Sequence, residues 1–78
     1  ASSLKEQLSR AAPSIALNLA EGNGKRTSKD QNRFFQIAFG SVRECQSILL
    51  LAEQENSKAA LLLDKLAAHL YKLIKFNH

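Results

Sequence analysis

The chain has one cysteine, one proline and three glycines among 78 residues, and each shortage closes off a class of protein. A lone Cys45 cannot close an intramolecular disulfide, and with His69 and His78 it shows no zinc-ligand spacing. Neither staple of small folds is therefore expected, and no metal site. So little glycine and proline beside 45% hydrophobic residues excludes a disordered chain. The longest apolar runs, such as Ile48 to Ala52, fall far short of the roughly 20 residues that span a bilayer, so no membrane partner is expected. The start, Ala1-Ser2-Ser3-Leu4-Lys5-Glu6, lacks the sections of a signal peptide. With a single reduced-looking cysteine, that points to the cytoplasm. No β-branched run alternates apolar with polar positions, so there is no strand signal.

Three helical patterns are present. Ser3 followed by Glu6 is a capping-box signature, and Leu4, Leu8, Ala11, Ile15 and Leu19 then recur at three-four spacing. This predicts a helix over 3–21, kinked at Pro13 and ended by Gly22 and Gly24 in positive-φ conformations. A second helix, 28–53, is expected to start at Ser28, with Gln31 completing another capping box. Its stripe runs Phe34, Ala38, Ser41, Cys45, Ile48, Ala52, flanked by Phe35, Phe39, Val42 and Leu49. A face this wide should meet more than one neighbour. Gly40, costly in mid-helix, reads as a place where another backbone comes close. The short connector before Ser57 allows only an antiparallel return. The third helix, 57–76, sets Ala59, Leu62, Leu63, Leu66, Leu70, Leu73 and Ile74 against Asp64, Lys65, His69 and Lys72.

The expected fold is all-α: one domain over 1–78, an antiparallel up-and-down helical bundle. It leaves space for a fourth helix, from another chain or from sequence outside this one. A core this small rarely supplies more than roughly 3–5 kcal/mol unaided, so association between chains is the expected source of further stability.

The net charge is +4 and unevenly spread. Residues 25–33 hold Lys25, Arg26, Lys29 and Arg33 against Asp30 alone; residues 65–75 hold Lys65, Lys72 and Lys75 and no acid. Two basic segments favour an anionic partner, most often nucleic acid; the alternative is a solvated lysine-rich surface. The first cluster lies beside the free amides of a helix start, which can bind phosphate, and Lys29 and Arg33 share a helix face. Phe34, Phe35 and Phe39 do not interleave with these cations as a base-stacking platform would, and read as core.

Catalytic patterns are missing. There is no inward Glu-x-x-His pair, nucleophile elbow, Walker loop or acid dyad, and Gly22-Asn23-Gly24 follows a helix and lacks the third glycine of a phosphate loop. No enzyme activity and no cofactor are expected. Asn18 and Glu21 either organise the helical corner, through register and turn amides, or contact a partner there. Glu44 is expected to cross to Arg10, and Cys45 to be a small core residue.

Gln7-Leu8, Arg10-Ala11-Ala12, Ser14-Ile15, Asn18, Ala20-Glu21-Gly22, Gly24, Ser28-Lys29, Phe34, Ile37-Ala38, Gly40-Ser41 and Glu44 form one pattern. It resembles the bacterial four-helix-bundle family encoded by intervening sequences of 23S ribosomal RNA genes. The resemblance covers 4–52 and extends to the third helix only in type. It implies a four-helix protomer in a homo-oligomer, a ring of five, and likeness to the basic pentameric accessory protein of diversity-generating retroelements, which engages nucleic acid and reverse transcriptase. The family's first helix has no counterpart before Ala1. Ala16 stands where the family carries proline, and Cys45 where it carries a larger apolar residue. The function expected is a non-enzymatic oligomeric bundle that binds RNA or other nucleic acid through Lys25, Arg26, Lys29 and Arg33. The alternative is a protein–protein adapter whose basic residues serve solubility.

Overall fold

A computed structural model describes residues 3–77, which form three helices: α1 (Ser3–Asn23), α2 (Ser28–Leu51) and α3 (Lys58–Phe76). The class is as expected, and each boundary lies within two residues of its expected place. α1 buries Ala11 and Ile15 from its three-four stripe, with Leu8 and Leu19 packed against the same core. It runs through Pro13 without a break. Pro13 has no N–H to give the Ser9 carbonyl, and both residues lie on the exposed side of the helix. Ser3 is already the first helical residue; the cap position before it lies outside the described residues.

The corner between α1 and α2 closes through its backbone. Gly24 N–H donates to the carbonyls of Ala20 and Glu21, both at 3.2 Å, and Lys25 N–H to that of Gly22 at 3.1 Å. No described glycine has positive φ, which corrects the expected role of Gly22 and Gly24. Gly22 answers to a different constraint. It is buried against Phe35, and a Cβ there would stand 2.6 and 2.8 Å from ring carbons Cε1 and Cδ1. The glycine lets the last turn of α1 press onto an aromatic ring.

The α2 cap is also corrected. Ser28 is the first helical residue, but the capping hydroxyl is that of Thr27, which accepts from the Asp30 amide at 3.1 Å. Gln31 reaches back instead to the Lys25 carbonyl at 3.4 Å. At its far end α2 stops on Glu53, whose φ is 58°. Gln54 N–H donates to Leu49 at 2.7 Å and Glu53 N–H to Leu50 at 3.0 Å. This is the Schellman pairing, built on a residue other than glycine. Ser57 caps α3 by accepting from the Ala60 amide at 3.2 Å.

Pairings along the chain show that both connections reverse direction. Ser14 meets Ser41 and Gly22 meets Phe35 between α1 and α2, while Asn32 meets Ile74 and Gln46 meets Asp64 between α2 and α3. α2 is the central element, and its wide face buries Phe35, Ala38, Val42, Cys45, Ile48 and Leu49. α1 and α3 lie on either side of it, with no Cα of one within 8 Å of the other. The trough between them is apolar and lined by Leu8, Ala12, Ile15, Leu49, Leu62 and Leu63, among others. The bundle is thus open in cross-section.

Not every stripe position is covered. Phe34 and Phe39 are half-buried and Ala52, Ala59 and Leu62 are exposed. Gly40 is exposed, and a Cβ built there meets nothing within 4 Å, so the expected close backbone approach is not made among the described residues.

Candidate nucleic-acid interface

The four basic residues flank the α1–α2 corner but are not equivalent. Lys25 is half-buried: its Nζ sits 3.9 Å from the Glu21 carboxylate and 5.1 Å from the centre of the Phe34 ring. Part of its charge is therefore already engaged. Arg26, Lys29 and Arg33 are exposed, and among the described residues none makes an ion pair or a side-chain hydrogen bond. Asp30, the acid of this segment, neutralises none of them at contact distance. Because the Thr27 hydroxyl takes the Asp30 amide, that amide is closed to a bound anion.

The antiparallel return of α3 brings further groups to this end. Asn32 Nδ2 donates to the Ile74 carbonyl at 3.1 Å, and Asn77 Nδ2 donates to Gln31 Oε1 at 3.2 Å. These bonds seat the last turn of α3 on the first turns of α2. A cleft there is lined by Lys29, Asn32, Arg33, Gln36 and Asn77. Asn32 is buried, and its Oδ1 has no hydrogen-bond partner among the described residues. One turn earlier on α3, Tyr71, Lys72, Lys75 and Phe76 line a hollow of their own. Tyr71 is 60% exposed and Phe76 85%. The two rings were missed in the sequence although they stand beside lysines already counted there; their spacing reads as a helix edge until exposure is known.

The remaining polar positions of the corner are tied down locally. Asn18 Nδ2 donates to the Ser14 carbonyl at 2.8 Å and to Ser14 Oγ at 3.1 Å, and Ser14 Oγ shares a 2.9 Å hydrogen bond with Ser41 Oγ. Asn18 thus joins a polar link between α1 and α2 and does not serve the turn amides. Glu21 pairs with Lys25 and not with amides of α2. Glu44 is exposed and makes no ion pair among the described residues, so the expected bridge to Arg10 is not formed. Cys45 is buried at 1% exposure. Burial holds its thiol above the ordinary value, and the Glu44 carboxylate adds to the rise.

Among the described residues no group of three His, Cys, Asp or Glu could hold a metal ion, and no helix is long and apolar enough to cross a membrane. What these elements define is a small all-α helical-bundle protein with a cationic end. The family model described as 23S rRNA-intervening sequence protein matches residues 1–77, and the chain belongs to that family. No curated protein and no solved structure matches it.

Proposed function

We propose that this protein is a helical-bundle binder of nucleic acid that works as an oligomer and carries out no chemistry of its own. One observation carries the reading: among the described residues Arg26, Lys29 and Arg33 stand exposed without acidic partners, at the end where α3 delivers Lys72 and Lys75. A cluster left unpaired raises the local potential and attracts polyanions. Phosphate contacts of this kind supply affinity and register without reading sequence.

The open trough and the exposed leucines support association. Leu50, Leu51, Leu61 and Leu62 are each more than half exposed around the α2–α3 connection, at the opposite end of α2 from the cations. The oligomer is assigned to that apolar end and to the trough, which leaves the cationic end outward. The test is a salt-titrated binding assay on the species defined by light scattering. Three phosphates neutralised on a single strand give a slope of about −2 in log affinity against log salt. Replacing Lys25, Arg26, Lys29 and Arg33 together by glutamine should abolish binding and leave the helical signal unchanged. The exposed leucines equally favour a protein–protein adapter. Salt-insensitive capture of a polypeptide, with no retention of RNA or DNA, would decide for it.

A further inference from the structure

We infer that the hollow on the last turns of α3 is a stacking site for unpaired bases, so that the ligand is single-stranded nucleic acid. The inference rests on the nucleic-acid reading above and narrows it to one form of ligand. Around α3, Lys75, Lys72 and Phe76 lie about 40°, 100° and 140° from Tyr71. Two exposed rings thus bracket two ammonium groups on one side of the helix. Soluble helices put single apolar residues on their surface without consequence, but a Phe at 85% exposure beside a Tyr at 60% is a large aromatic area left in water. Lysines between the rings fit an occupant with negative charge and planar faces, and a nucleotide has both.

The spacing selects the form of the strand. Tyr71 and Phe76 are five residues apart, about 7.5 Å along the helix axis. Nucleotides in a duplex strand follow one another about every 3.4 Å with their faces covered by neighbouring bases. Only a strand whose bases are unpaired and unstacked can present one face to each ring. Its backbone then crosses Lys72 and Lys75, which lie between the two rings.

Tyr71 is the only tyrosine and the chain has no tryptophan, so its fluorescence reports the site directly. The full chain is titrated with a 20-nucleotide poly-uridine strand and with a blunt 20-base-pair duplex at matched salt. Expected are quenching of tyrosine emission by the single strand only and tighter binding of that strand. Tyr71→Ala and Phe76→Ala should each weaken single-strand binding roughly ten-fold without changing duplex binding, while Tyr71→Trp and Phe76→Tyr retain it. Both side chains are exposed, so truncation leaves the fold intact, checked by melting. Salt-sensitive binding with unquenched emission and unaffected alanine variants overturns the stacking site and leaves the nucleic-acid reading standing. No binding of either probe overturns both. Alanine variants that change the mass of the oligomer but not the affinity assign the rings to self-association and overturn the inference.

Discussion

Gly22→Ala and Gly40→Ala are the same chemical change at two helical glycines, and the structure assigns them opposite signs. At Gly22 the new methyl would stand 2.6 Å from Phe35 Cε1, against the 3.4 Å at which ordinary contact begins, a deficit of ~0.8 Å. Phe35 is only 3% exposed, so the ring has no solvent side to swing into. Forcing such a shift costs about 1–3 kcal/mol, while alanine recovers about 1 kcal/mol of helix propensity. The net is a loss of about 1 kcal/mol, or a fall of roughly 4–8 °C in Tm for a domain of this size. At Gly40 the methyl meets nothing within 4 Å, so only the propensity term acts, and stability rises by about 0.5–1 kcal/mol. Thermal melts followed by circular dichroism at fixed protein concentration separate the two. In a Phe35→Leu background the Gly22→Ala penalty should shrink, with a coupling of at least about 0.5 kcal/mol. Equal stabilisation by both alanines would refute the contact with Phe35. A loss at Gly40 would place another chain against that glycine in the oligomer.

Glu53→Gly should raise stability by about 1 kcal/mol in urea titrations, because it relieves the left-handed backbone at φ 58° while keeping both Schellman hydrogen bonds. Ser41→Ala should cost about 1 kcal/mol by leaving Ser14 Oγ without its partner across the helices, and the Ser14→Ala, Ser41→Ala double variant should cost less than the two singles added. Cys45 should resist alkylation under native conditions and react on unfolding. Its folded-state pKa lies above that of the unfolded chain, so its contribution is complete below pH 9.0 and falls as pH rises beyond that value. Urea midpoints across that range should drop in the parent, and Cys45→Ala should lose that part of the drop.

The helices were legible in the sequence because their evidence is local: three-four stripes set their lengths, and polar connectors set their ends. What escaped depends on contacts between distant residues. Nothing near Gly22 announces that the ring of Phe35, thirteen positions on, will lie against it, so the glycine reads as a turn residue. Thr27 and Ser28 offer adjacent hydroxyls, and only backbone geometry decides which one caps. Asn18 looked toward the turn because it is near it in sequence, whereas its amide is satisfied one turn back by Ser14. Of the basic cluster, the positions were readable but the pairing was not: Lys25 is engaged by Glu21 and Phe34, while its three neighbours are free of such partners among the described residues. The rings of Tyr71 and Phe76 escaped because they are distant in sequence from the first basic cluster. The aromatics of residues 25–35 are only Phe34, half-buried beneath Lys25, and Phe35 in the core, and the return of α3 to that end is a property of the fold.

Because α2 alone touches both other helices, the order in which the bundle opens is constrained. No Cα of α1 lies within 8 Å of one in α3, so either can detach while its sister stays docked on α2, and neither event exposes both sides of α2. Amide protons on the buried side of α2, near Val42 and Cys45, can then exchange with solvent only through global opening. Those of α1 and α3 have a cheaper route. A native-state exchange profile should therefore rank α2 slowest, with its lead over the outer helices shrinking as the trough is filled.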